Sequence, residues 1–291
     1  MITTSGAIYS WDQAGLHRVF TSSKRAIFAA KEAKDGTQIL AIADRHTVVL
    51  HDCRRNREES WGLEGDDSAD HVRLLEYTND GQRLFLSTSL SGQIQCFYIR
   101  GTGHLREVGK EHPKPPTVMA VSAHGAFMLS ASEEPTVVYL QDLKTTGYAR
   151  QLHPRAEEKS VIVAAFHPEN DHVFLLGFKN STLVAHKAGK MKMRSNGRVD
   201  VANALQDLNG WTLEIGRFPN LHRITTRKAA ALNSAAIGTR YEDADTTSVG
   251  AKSVGIVGAA FLPGHRSRAV SVGGDGKCKI VDFEKGTVLR T

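Results

Sequence analysis

Apolar residues along the chain fall in short runs bounded by polar turns. "QILAIA" (38–43), "RLFLST" (83–88), "FMLSAS" (127–132), "HVFLLG" (172–177) and "RAVSVG" (268–273) each precede a polar turn. An alternating run follows each turn: "TVVLHD" (47–52), "QIQCFY" (93–98), "VVYLQD" (137–142), "TLVAHK" (182–187) and "KCKIVD" (277–282). β-branched and apolar residues at every second position, bounded by Gly, Asn, Asp and Pro, predict antiparallel strands.

These runs belong to a repeat. Residues 259–282 lie over 164–187 without a gap, and the frame also fits 75–98, 119–142 and, with a small gap, 28–52. Its apolar anchors are Tyr77, Val121, Phe166 and Phe261, spaced by 44, 45 and 95 residues. A period of about 40–45 is that of a four-stranded propeller blade. The turn between the last two strands is Asp275-Gly276 in one copy and Asn180-Ser181 in another.

On these residues the chain resembles the WD-repeat (WD40) β-propeller family. "SVGGDGKCKIVD" and "GAIYSWD" carry the resemblance, Trp11-Asp12 being the literal Trp-Asp pair at a strand end. Elsewhere the closing dipeptide is His51-Asp52, Phe97-Tyr98, Gln141-Asp142, His186-Lys187 or Val281-Asp282. The family's Gly-His pair has its nearest trace at His71-Val72. The resemblance therefore implies that the family's buried Asp–His–Ser/Thr–Trp tetrad is mostly missing and that apolar packing carries the blades. The expected architecture is all-β: one propeller domain over 1–291, with a partial blade at 1–20 and blades at 24–66, 71–112, 116–153, 160–227 and 253–291. Five four-stranded blades and a partial one do not close a ring unaided, and closure is what hides strand edges and end faces. The expectation is an incomplete seven-bladed ring cut from a longer protein, with an unusual closed six-bladed ring as the alternative.

The 95-residue step holds a long insert, 188–252, rather than a further blade. Within it "GRVDVANALQDLNG" (197–210) has helical spacing and "KAAALNSAAIG" (228–238) is helix-permissive. "GWTLEIGRF" and "LHRITT" read as the returning strand.

Composition narrows the class. Hydrophobic residues make up 41% and charged residues 23% of the 291, a globular profile. The longest apolar run falls well short of the roughly 20 residues that span a bilayer. The N-terminal "MITTSGAIYSWD" lacks the basic and apolar regions of a secretory leader. Three dispersed cysteines, Cys53, Cys96 and Cys278, read as reduced thiols in an intracellular protein of the cytoplasm or nucleus.

Candidate chemistry is sparse. "GGDGK" (273–277) has Ser271 five places before Gly276 and Cys278 after Lys277, so it fails as a phosphate-binding loop and reads as a turn. His167, His172 and His186 do not have metal-ligand spacing, and His167 reads as a polar loop residue. Neither cofactor nor metal is expected. The charge of +6 is more informative. "HKAGKMKMRSNGR" (186–198) carries Lys187, Lys190, Lys192, Arg194 and Arg198, and "RFPNLHRITTRK" (217–228) carries Arg217, Arg223, Arg227 and Lys228, with no carboxylate in either. Such clusters suit phosphates or an acidic peptide. The expected function is a non-enzymatic scaffold that holds protein partners on its central top face and its insert. The alternative is a ribonucleoprotein or chromatin component touching nucleic acid through 186–228.

Overall fold

The structure is a computed structural model that describes residues 6–21, 26–44, 47–62, 69–99, 105–144, 149–189, 212–226 and 250–291. Every regular element in them is a strand. The helical readings at 197–210 and 228–238 lie outside the described residues, as do Lys190, Lys192, Arg194, Arg198, Arg227 and Lys228.

β1 (Ala7–Asp12) and β2 (Gly15–Thr21) form a hairpin ending β1 on Trp11 and Asp12. The first four-stranded sheet is β3 (Ala29–Glu32), β4 (Ile39–Ala43), β5 (Thr47–Asp52) and β6 (Arg57–Gly62). The second is β7 (Val72–Tyr77), β8 (Arg83–Thr88), β9 (Ile94–Tyr98) and β10 (Leu105–Val108). The third is β11 (Val118–Val121), β12 (Phe127–Ser132), β13 (Val137–Asp142) and β14 (Ala149–Leu152). The fourth is β15 (Val161–His167), β16 (Asn170–Phe178), β17 (Leu183–Ala188) and β18 (Thr212–Phe218). A two-stranded ribbon, β19 (Arg223–Thr226) with β20 (Gly250–Ser253), precedes the fifth sheet of β21 (Ile256–Phe261), β22 (Arg268–Gly273), β23 (Cys278–Asp282) and β24 (Thr287–Arg290). Each four-stranded sheet is an antiparallel meander in sequence order.

One expectation is corrected here. "GWTLEIGRF" supplies the returning strand, but "LHRITT" does not join it, because Arg223–Thr226 pairs with Gly250–Ser253 instead. Leu221 N–H and His222 N–H are bound to Ser181 O and Oγ, which turns the chain away from the fourth sheet just before this segment.

The first strands β3, β7, β11, β15 and β21 lie side by side in that order, so the sheets follow one another around a common centre as propeller blades. Side-chain alternation explains why they stack. On β8, Leu84 and Leu86 pack with the first sheet while Phe85 packs with the third. On β12, Leu129 and Ala131 face the fourth sheet and Met128 the second. On β16, Phe174, Leu176 and Phe178 join the third sheet, and Val173 and Leu175 the fifth. A strand buried on both faces reads as a near-continuous apolar run, as the second strands do. The hairpin covers the outer face of the first sheet through Ile8, Val19 and Phe20 against Leu40 and Ile42. None of these apolar clusters joins the fifth sheet to the hairpin among the described residues, and Val257 and Val272 stand 64% and 41% exposed.

Candidate interaction surface

The turns of each sheet are held by their own side chains. At the second turn, Thr47 N–H donates to Asp44 (2.7 Å), Gln93 N–H to Ser91 (3.0 Å), Thr182 N–H to Asn180 (3.1 Å) and Lys277 N–H to Asp275 (3.1 Å). Ser181 (φ 68°) and Gly276 (φ 71°) occupy equivalent left-handed positions, which matches the aligned Asn180-Ser181 and Asp275-Gly276. At the third turn, Asp52, Asp142 and Asp282 accept from backbone N–H groups two residues on, closing the third strand of their sheets. Short polar side chains do this by bonding the backbone locally.

A second set of networks corrects the expectation that apolar packing alone carries the sheets. His222 is wholly buried; its Nδ1 lies 2.9 Å from Asp275 Oδ1 and its Nε2 3.0 Å from Ser271 Oγ. A carboxylate only accepts, so Nδ1–H donates to Asp275 and Nε2 accepts from the Ser271 hydroxyl. Burial pushes the Asp275 carboxyl up, and its hydrogen bonds from Lys277 N–H and His222 more than offset that, leaving it below the usual value. Ser271 is wholly buried, so this order of hydrogen bonds, which elsewhere activates a nucleophile, locks β22 to the segment before β19. His112 similarly reaches Ser130 (2.8 Å) and Ser132 (3.2 Å) and packs against the Tyr139 ring. In the second sheet Ser89 joins Asp70 (2.9 Å) and His71 (3.1 Å). Among the described residues three sheets thus carry a His–Ser network, and no tryptophan hydrogen bond joins one. His112 and His222 escaped the sequence reading because each sits in a linker, remote in sequence from its serine.

Polar links also cross from sheet to sheet at the end where the first turns lie. Lys31 meets Glu76 (2.6 Å), Arg83 donates to Gly125 O (2.7 Å), His124 Nδ1 meets Asp171 (3.1 Å), and His167 meets His265 O (3.0 Å). His167 is buried rather than a loop residue. Its Nδ1 accepts from Glu169 N–H (3.1 Å), so Nε2 carries the proton that it donates to His265 O, and neither nitrogen is left for other chemistry.

Inside this belt the ends of the first strands and their turns enclose a vestibule of about 380 Å³. Lys31, Lys34, Glu76 and Asn79 form one wall; Phe166, Pro168, Phe261 and Pro263 form the other, with alanines such as Ala120, Ala164 and Ala260 between them. The anchors Phe166 and Phe261 thus both meet at this space, whereas Tyr77 is buried between the first two sheets.

Of the basic residues singled out in the sequence, Lys187, Arg217 and Arg223 are among the described residues. Lys187 is exposed on β17 and Arg223 exposed at the start of β19. Arg217 is turned inward, bound through Nη2 to Glu214 (2.7 Å) and through Nη1 to the buried Glu158. The Arg217 hydrogen bonds hold the Glu214 carboxyl low. The three cysteines are free thiols, with Cys53 and Cys278 exposed. Among the described residues no group of three or more His, Cys, Asp or Glu is placed to hold a metal ion, and no helix is long and apolar enough to cross a membrane.

No family model matches the chain, and no curated protein matches it. Its fold is similar to a chain of the solved structure "Crystal Structure of Mitotic Checkpoint Complex", with a TM-score of 0.64 at 12% identity, covering 98% of this chain and 71% of that one. The fold is a WD40-like β-propeller of five four-stranded sheets with a partial N-terminal one.

Proposed function

We propose that this chain is a non-enzymatic scaffold that holds protein partners inside the cell. The vestibule carries the reading: a rigid, partly apolar recess whose one buried imidazole, His167, has both nitrogens engaged. Rigid elements linked at each sheet boundary present loops in fixed positions, which favours recognition by shape. The similar solved chain belongs to a multi-protein complex, and the free, partly exposed thiols suit a reducing compartment. The test is capture of the intact tagged chain with and without nuclease, followed by quantification of what co-purifies. A nuclease-resistant polypeptide at near-equal stoichiometry supports the scaffold. Recovery of nucleic acid alone, or of nothing, overturns it.

The nucleic-acid reading keeps exposed Lys187 and Arg223 but not Arg217, whose charge is taken up by Glu214 and Glu158. A phosphate-binding role for 186–228 predicts an affinity that falls steeply with salt and that Lys187→Glu and Arg223→Glu reduce. Unchanged affinity in both variants rejects it.

A further inference from the structure

The scaffold reading leaves open what the vestibule holds. Its volume of about 380 Å³ lies within the roughly 300–1,000 Å³ range of binding pockets. Its two walls differ in chemistry. On the first-sheet side the Lys31 ammonium is already paired with Glu76, but Lys34 has no ion pair among the described residues. The neighbouring Asp35 makes no ion pair with it: its Oδ1 accepts from Thr37 N–H (3.0 Å) and from the Thr37 hydroxyl (2.5 Å) in its own turn. On the second-sheet side the Asn79 amide is without a hydrogen-bond partner among the described residues. An amide offers one acceptor and two donors, the complement of a peptide group. The far wall, from Phe166 to Pro263, offers apolar and aromatic surface and no charge.

We infer that this vestibule, at the first-turn end of the channel, takes an extended segment of a partner protein in which an acidic residue stands beside a bulky apolar one. The carboxylate meets Lys34, the Asn79 amide pairs with the segment's backbone, and the apolar side chain enters between Phe166 and Phe261 over the alanines. The excess of one positive charge among Lys31, Lys34 and Glu76 selects an acidic segment, and the aromatic wall selects its apolar neighbour. The inference rests on the scaffold reading and adds to it the place and chemistry of contact.

The test uses the full chain and fluorescent, end-capped hexapeptides read by anisotropy. One carries an acidic residue beside phenylalanine, one replaces the acid with lysine, and one replaces phenylalanine with alanine. A single-stranded oligonucleotide serves as an anionic control. Saturable binding of the first peptide, at least about tenfold tighter than of the other two and of the oligonucleotide, is the expected result. Lys34→Glu weakens that binding about tenfold and transfers preference to the lysine peptide, with an unchanged melting temperature. Ala260→Trp, at an exposed position on the vestibule wall, abolishes it by filling the space. Binding of none of the probes, equal binding of all, or indifference to both variants overturns the inference. A partner that still co-purifies with both variants sinks the vestibule inference and leaves the scaffold standing, so the two readings fail separately.

Discussion

At the scale of single residues, the buried histidines carry more than their number suggests. Removing the His222 ring leaves the Asp275 carboxylate and the Ser271 hydroxyl without their partner in a site closed to water. His222→Ala is expected to cost about 2–4 kcal/mol, read from the midpoint of urea unfolding. His112 gives a signal in pH. Burial lowers its pKa from 6.5 to about 4, and burial does the same to His186, opposed by Glu214 and reinforced by Arg217. Between pH 4 and 6.5 the unfolded chain therefore binds protons that the folded one refuses. Stability rises with pH across that window and is lost as pH falls through it. A melting series from pH 7 to 4 should decline steadily, and His112→Gln should remove up to about 1.4 kcal/mol per pH unit of that slope. A slope unchanged in the variant refutes a neutral buried His112.

At the scale of elements, the recurring device is a strand that serves two sheets. Phe174 is fully buried between the third and fourth sheets, and Phe174→Ala should cost about 3–5 kcal/mol in unfolding measurements. Close approach matters as well: a Cβ at Gly92 would lie 2.0 Å from the His112 carbonyl oxygen, in the connection between the second and third sheets. Gly92→Ala should lower stability by about 1–3 kcal/mol, and a neutral outcome by thermal melting speaks against that contact. These elements were unevenly legible in the sequence. "FMLSAS" and, after His172, "VFLLG" announce themselves because burial on both faces makes these positions apolar or small. The turns at Asp52, Asn180 and Asp275 are legible because one short polar side chain builds each locally. "LHRITT" misled because its alternation is that of any strand, and nothing local says which neighbour it pairs with. His222 and Ser271 stand about fifty positions apart, and only the folded chain brings them within a hydrogen bond. Lys34 and Phe261 meet at one recess for the same reason.

At the scale of the molecule, each sheet leans mainly on its neighbours in the series, so stability should be graded along it. The third and fourth sheets are covered on both faces, whereas all four residues of β24 are exposed and the outer face of the fifth sheet shows Val257 and Val272. Amide hydrogen exchange followed by mass spectrometry should find β12 and β16 slowest and β24 among the fastest. Uniform protection across the sheets rejects a graded series.

The alternation along β16 also has a consequence for how such a chain changes through descent. Deleting one codon between Phe174 and Phe178 would send the side chains meant for the third sheet toward the fifth, and the reverse, spoiling two interfaces in one event. Gain or loss of an entire unit of about 44 residues respects every strand's allegiance. Lineages of this chain should therefore differ by whole units or by loop lengths, with the strands themselves closed to single-residue indels.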